Sequence, residues 1–484
     1  MIDISILTIK KAHEDMKSGK YSAVDLAKTY LDEISKKNKE LNAYLEVFKD
    51  VLQQAEDADK RFKDGTTTLL TGIPFAIKDN ILIKGNIASS ASKILENYHA
   101  TYNATIIEKL KKENAVFIGR TNMDEFAMGG STENSAYGVT KNPFDTSRVA
   151  GGSSGGSATA VASNMALVAL GSDTGGSIRQ PASFCGLIGL KPTYGRVSRY
   201  GVMSLVSSFD QIGPFGKTVN DVEIIYNSIK GQDEKDSTTI NNSTYEVDTT
   251  KDNLVKSKNN KKLVIGIPRV FLKGDGIDKD IMKNFNDAIE KFKNLGYEIK
   301  DIILPNIEYS LAVYYIINFA EASSNLSRFD GMRFGFHKEG INGIDDYFET
   351  RGAGFGKEVR RRILLGTYVL SSGYYDAYYN RANVLRKVIS DDFLKAFQNV
   401  DIILTPTTPT PAFKIGEKNS DPVAMYLEDI FTVTANLTGM PAISIPSGFA
   451  VVDGCKLPIG IQMTATYAGE QILFDSSKEF LDEK

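Results

Sequence analysis

Two glycine- and serine-rich stretches and one lysine are the residues whose types and spacing could do chemistry. The first stretch is Gly151-Gly152-Ser153-Ser154-Gly155-Gly156-Ser157, and the second is Gly171-Ser172-Asp173-Thr174-Gly175-Gly176-Ser177. A helical-looking run and the strand-like Leu167 to Leu170 separate them. Glycines let backbone N–H groups approach a ligand closely, and successive N–H groups in such loops form an anion nest. The serines are candidate nucleophiles, and a serine nucleophile needs a base. Lys78 ends the apolar run Gly72-Ile73-Pro74-Phe75-Ala76-Ile77 and precedes Asp79-Asn80. Burial disfavours an ammonium, so such a lysine can be neutral near pH 7 and take a proton from serine. A strand-end lysine snorkelling to solvent fits the same residues equally well. Lys191, in Gly189-Leu190-Lys191-Pro192, has a similar apolar flank and competes on composition.

Two other chemistries use similar loops, and each lacks a part here. A phosphate-binding loop ends in Gly-Lys-Ser/Thr, and neither loop does. Gly151-Gly152-Ser153-Ser154-Gly155 fits the G-x-S-x-G nucleophile elbow, which would make Ser153 the nucleophile of a Ser-His-Asp hydrolase. That mechanism needs a histidine, and His13, His99 and His337 lie in an early helix, a Tyr/Asn context and a Lys/Glu context. None of these is a catalytic-looking loop.

The elements that must hold these loops alternate in type. Residues 1–65 read as amphipathic helices; Ser22 and Asp25 form a capping-box-like start, and Leu26, Tyr30, Leu31 and Ile34 share one face. From Gly72 short apolar runs predict strands at Ile73–Ile77, Ala115–Ile118 and Leu167–Leu170, with a helix at Thr105–Lys112, so an α/β sheet is expected. Residues 230–262, rich in Lys, Asn, Asp, Ser and Thr, read as a surface excursion or linker. Beyond it the pattern predicts strands at Leu263–Ile267, Ile299–Ile303, Asp401–Leu404, Ala442–Ile445 and Ile459–Met463, a helix at Asp278–Leu295, and a long helical tract over Gly356–Phe397.

Composition bounds the class. With 42% hydrophobic and 24% charged residues the chain is neither fibrous nor disordered. A net charge of −3 supplies no basic footprint for nucleic acid, so any RNA would be held mainly by another chain. Two cysteines, Cys185 and Cys455, form no disulfide framework and fit a reducing compartment. The N-terminus does not read as a secretory signal, and no apolar run reaches the ~18 to 20 residues of a spanning helix. A cytoplasmic location without membrane contact is expected.

The ordered set of Gly72-Ile73-Pro74 to Lys78-Asp79-Asn80, the Gly151–Ser157 loop, and Asp173-Thr174-Gly175-Gly176-Ser177-Ile178-Arg179 resembles the amidase signature family over nearly the whole chain. The resemblance implies one domain over residues 1–484, α/β, with a large mixed central sheet flanked by helices. It also implies a Ser-Ser-Lys triad: Lys78 as base, Ser153 as bridging serine after a cis peptide, and Ser177 as nucleophile. Thr174, Gly175, Gly176 and Ser177 would supply oxyanion N–H groups, with Ser154, Asp173 and Arg179 in support. Residues 123–133, 191–199, 321–331 and 371–379 are similar to one subgroup, the glutaminase (A) subunits of tRNA-dependent amidotransferases. That likeness implies glutamine as substrate, with Arg362 on its α-carboxylate, Asp429 on its α-ammonium and Tyr314 in the pocket. It further implies two partner subunits, B and C, in a heterotrimer. The misacylated tRNA, Glu-tRNA(Gln) or Asp-tRNA(Asn), together with ATP and Mg would be held by a partner, with no metal or cofactor in this chain. A stand-alone amidase acting on small or lipid amides is the alternative enzyme, and a silent scaffold the alternative class.

Overall fold

The computed structural model describes residues 2–240, 263–273, 276–418 and 420–483. Among them, eleven strands form one sheet: β1 (Tyr44–Val47), β2 (Pro74–Lys78), β3 (Val116–Thr121), β4 (Val168–Asp173), β5 (Ile188–Lys191), β6 (Gln211–Gly216), β7 (Val264–Ile267), β8 (Glu298–Asp301), β9 (Ile402–Pro406), β10 (Ala442–Val452) and β11 (Cys455–Ala465). Their order is β1-β3-β2-β4-β6-β5-β10-β11-β9-β7-β8. β3, β2 and β4 run parallel, as do β9, β7 and β8, and an antiparallel block joins the two sets. The sheet is therefore mixed, with helices against it. β2, β3 and β4 are buried along their whole length, which is why they read as continuous apolar runs rather than alternating ones.

One register places the chemistry. Ile77 of β2 pairs with Leu170 of β4 in parallel, so Lys78 and the Gly171–Asp173 segment end side by side. Both strands point their carboxyl ends the same way, the usual location of binding sites in α/β sheets. The first glycine loop leads into the helix Gly155–Ala162, buried through Val161, and the second, after β4, leads into the short helix Arg179–Phe184.

Several local expectations meet their elements with small shifts. The helix Thr105–Lys112 forms as read, and Ser22 with Asp25 closes a capping box on the helix Ala23–Leu41. The tract 356–397 is instead two helices, Lys357–Leu370 and Arg381–Ala396, broken after Leu370 and rejoined through the π-turn Asp376–Asn380. Gly373 takes a φ of 86° there, which a continuous helix does not allow. The sequence does not announce β1, β5 and β6: Glu46 interrupts the first, Gly189 the second, and Gly213 and Pro214 the third, so none reads as a continuous apolar run. In the expected excursion, residues 230–240 are tied to the body through Asp233 and Asp236, which accept from Ser198 and from the Arg199 N–H; 241–262 lie outside the described residues.

The helices Ser310–Asn325 and Lys357–Leu370 pack tightly because Gly366 has no side chain. A Cβ there would lie 1.8 Å from the carbonyl oxygen of Phe319. Gly366→Ala should push the two helices apart and cost about 1 to 3 kcal/mol, as overpacking does. An unfolding midpoint in urea equal to that of the parent chain would show that the pair tolerates the methyl group.

Candidate active site

Lys78 is fully buried, and its amine meets only oxygens of serine residues. Nζ donates to Ser153 Oγ at 2.7 Å, Ser154 Oγ at 2.7 Å, Ser172 Oγ at 2.9 Å and Ser172 O at 3.3 Å. No carboxylate is bonded to it among the described residues. Burial lowers its pKa to about 7, with Asp124, Asp173 and Asp210 pulling the other way from a distance. The amine is thus poised between its two protonation states near neutrality.

Lys191 shows why the pKa alone does not choose the base. Burial also lowers it to about 7, but its Nζ donates to Pro192 O at 2.9 Å and to no serine. The histidines are elsewhere: His13 packs on Phe62, and His99 and His337 are exposed. The elbow geometry is absent too, since no strand runs into Ser153. The first loop also offers no free nest for a phosphate, because the N–H groups of Gly152, Ser154, Gly155 and Gly156 are spent on Gln180, Ser177 O, Thr132 and Asn122 O.

Ser153 follows a cis peptide bond from Gly152. Ser154 joins the two loops, its N–H donating to Ser177 O at 3.2 Å and its hydroxyl to Ser172 O at 3.1 Å. Ser177 is 7% exposed, the only one of Lys78, Ser153 and Ser177 that reaches the surface. Its loop is held by Asp173, whose carboxylate accepts from the N–H groups of Gly176 (2.9 Å) and Ile178 (3.1 Å) and from Asn436 (2.9 Å). Arg179 closes on the same carboxylate with Nε at 3.1 Å and a terminal nitrogen at 2.8 Å. Burial alone would raise the Asp173 pKa, but the Arg179 guanidinium holds it well below the usual carboxylate range. Of the expected oxyanion donors, Gly176 N–H is therefore already occupied. The N–H groups of Gly175 and Ser177 have no partner among the described residues.

A second cluster borders this loop. Tyr314 places its hydroxyl 2.3 Å from where a Cβ of Gly175 would be, so the tyrosine lies directly on the loop. Arg362 is buried; its Nε donates to Glu358 at 2.8 Å and one terminal nitrogen to Asn318 at 3.2 Å. Its guanidinium lies over the rings of Tyr315 and Tyr426, which stack with centroids 4.1 Å apart. Tyr315, the neighbour of the expected Tyr314, donates to Asp429 at 2.7 Å. Burial pushes the Asp429 carboxyl up to about 7. An ammonium placed beside it would stabilise the ionised form. Arg362, Asp429 and Tyr314 therefore gather at one place beside the Ser177 loop, with Tyr315 added.

Four positions that the motifs left without a role also hold the loops. Gln180 accepts from Gly152 N–H at 2.8 Å and donates to Gly130 O at 2.6 Å. Thr432 donates to Gly175 O at 2.5 Å, and Asn436 and Gln462 both bind Arg179. Their partners are distant in sequence, so no spacing announces them. Among the described residues no group of three or more His, Cys, Asp or Glu is placed to hold a metal ion, and no helix is long and apolar enough to cross a membrane.

The amidase family model matches residues 25–474. The chain belongs to the amidase family. Within that family it is 50% identical over 472 residues to the A subunit of glutamyl-tRNA(Gln) amidotransferase from Thermoanaerobacter pseudethanolicus, covering 97% of this chain and 94% of that one. It is 48% identical over 481 residues to the protein of the same name from Ruminiclostridium cellulolyticum, covering 99% and 97%. The crystal structure of the A subunit of glutamyl-tRNA(Gln) amidotransferase from Thermotoga maritima superposes with a TM-score of 0.77 at 39% identity, covering 99% of this chain and 94% of that one. The large mixed sheet flanked by helices is thus the amidase fold.

In this amidase the Asp173–Arg179 pair is wholly buried. Arg179→Met should leave Asp173 with an uncompensated charge and cost about 3 to 5 kcal/mol of stability. A loss below about 1 kcal/mol by urea unfolding would mean that Asn436 and the two backbone N–H groups satisfy the carboxylate unaided.

Proposed function

We propose that this amidase-family chain is the glutaminase subunit of a tRNA-dependent amidotransferase, and that Lys78, Ser153 and Ser177 carry the hydrolysis. The carrying observation is a buried lysine bonded to Ser153 and Ser154 at the head of the loop that presents Ser177, beside a cluster of Arg362 and Asp429. Uncharged Lys78 accepts a proton relayed through Ser153 as Ser177 Oγ attacks the side-chain amide carbon of glutamine. The N–H groups of Gly175 and Ser177, with Thr174 beside them, receive the oxyanion. The proton returns to the leaving nitrogen, the C–N bond breaks, and ammonia departs from a γ-glutamyl ester on Ser177. Water then attacks the ester with Lys78 again as base, and glutamate leaves.

The choice of glutamine over a small or lipid amide is supported by the charge pair. Arg362 fits a carboxylate and Asp429 an ammonium, and a simple amide has neither. The name shared by the relatives, which makes each of them one subunit of an amidotransferase, supports assembly with other subunits. In this reading those are a B and a C subunit. ATP and Mg are used in a partner that also holds the misacylated tRNA, in the cytoplasm.

Ser177→Ala should abolish glutamine hydrolysis, and Lys78→Ala should lower kcat by about 10² to 10⁴-fold, the usual contribution of a general base. The chain should still fold in both. Full activity in either variant would remove that residue from the reaction. Arg362→Ala and Asp429→Ala should each cost glutamine about 2 to 5 kcal/mol in kcat/KM, the penalty for stranding one partner of a buried charge contact, while sparing a simple amide. Equal losses on both substrates would refute the glutamine-specific pocket.

A further inference from the structure

The segment from Asp124 to Thr132 touches the Ser153 loop from both sides, and no part of the hydrolysis described above uses it. Asp124 donates its backbone N–H to Ser153 O at 3.1 Å. Its carboxylate accepts from the N–H groups of Thr132 at 2.8 Å, Asn134 at 3.1 Å and Ser131 at 3.3 Å. One of its oxygens stands 2.1 Å from where a side chain on Gly152 would begin, so carboxylate and loop are in direct contact. Thr132 completes the grip, donating to Gly151 O at 2.8 Å and accepting from Gly155 N–H at 3.1 Å.

The backbone of this segment is unusual in its own right. Phe126, Ala127 and Thr132 have φ values of 48°, 62° and 60°, in the left-handed region that residues with a side chain avoid. For the β-branched Thr132 this is a true outlier, and such conformations persist only where surrounding contacts enforce them. Here the contacts that hold it are the Asp124 carboxylate on the Thr132 N–H and the bonds of the Thr132 hydroxyl to Gly151 and Gly155.

We propose that Asp124 is a positioning residue: by gripping Gly152, Ser153 and Thr132 at once, it sets the Ser153 hydroxyl against Lys78. The inference rests on the reading of Ser153 as the relay. It also has an electrostatic side. Around Lys78 the charged groups are Asp124, Asp210 and the Asp173–Arg179 pair, and around Asp124 they are Lys78 and Glu133. Asp173 is neutralised by its arginine, whereas Asp124 is bonded only to backbone N–H groups. Burial pushes the Asp124 carboxyl up to about 6, so it is still ionised at neutral pH; there its negative charge favours the protonated form of Lys78, and removing that charge makes Lys78 easier to deprotonate.

The test compares Asp124→Asn and Thr132→Val with the parent chain. It measures kcat and KM for glutamine from pH 5.5 to 8.5, thermal unfolding, and covalent labelling by an acylating glutamine analogue. Both variants should lose roughly ten- to a hundredfold in kcat, the scale of a small misplacement of a reacting group, with KM within about threefold of the parent value. In Asp124→Asn the acid limb of kcat should also move to lower pH; in Thr132→Val, which changes no charge, it should stay. Parent-like kcat in Asp124→Asn, or a loss with an unmoved acid limb, overturns the proposal. If Asp124→Asn does not fold, Thr132→Val decides: parent-like kcat overturns the proposal and the stated loss upholds it. Label on Ser153 instead of Ser177 in the parent chain is the separate result that would fail the underlying reading, whereas parent-like kinetics with Ser177 labelled would fail this inference alone.

Discussion

The site depends on keeping an amine in the protein interior without a carboxylate in contact. A buried ammonium is costly unless paired, and a paired one stays protonated and is useless as a base. Lys78 avoids both outcomes by meeting hydroxyl groups, which donate or accept according to the charge of the amine. The three carboxylates around it are each engaged elsewhere. Asp173 is tied to Arg179, Asp124 to backbone N–H groups, and Asp210 to Thr174 and the N–H groups of Leu205 and Val206. Each of these bonds also fixes a segment of one loop. Holding the carboxylates away from Lys78 and shaping the loops are the same set of contacts.

The sheet makes that arrangement possible. Parallel pairing of β2 and β4 brings the lysine and the second loop to one edge, while β10 and β11 carry the far side of the network through Gln462. The charge cluster proposed for glutamine comes from helices late in the chain, yet it lies against the glycine-rich segments around the serines. Tyr314 touches Gly175, and Asp429 lies 3.9 Å from where a Cβ of Gly130 would be. Close packing at Gly366 joins the helix that carries Tyr314 to the helix that carries Arg362.

The strands that enter the site were legible because burial on both faces makes them continuous apolar runs, as at Phe75-Ala76-Ile77 and Val168-Ala169-Leu170. The proposed base was not legible from residue types alone. Lys78 and Lys191 share an apolar flank and the same depressed pKa, and only tertiary structure, through β-pairing and the bonds to Ser153, Ser154 and Ser172, shows that Lys78 ends beside the serine loops. Resemblance to the amidase signature family separated them in the sequence; geometry does so in the fold. Gly176 reads as an oxyanion donor in the motif, but its N–H is spent on Asp173, a local bond that spacing does not reveal. Asp124, Gln180, Thr432 and Asn436 went without roles for a related reason: polar residues whose partners are chosen by tertiary contact carry no periodic signal.

The central claim, that a desolvated lysine near its midpoint at neutral pH activates Ser177, is tested most directly by a single chemical step. The rate of Ser177 acylation by a glutamine analogue, followed by mass spectrometry from pH 5.5 to 8.5, isolates that step from ammonia release and ester hydrolysis. Lys78 is a base only when uncharged, so the rate should rise with pH through an apparent pKa of about 7 and then level off, and Lys78→Ala should remove the rise. A rate independent of pH across that range, or the same rise in Lys78→Ala, would contradict the account.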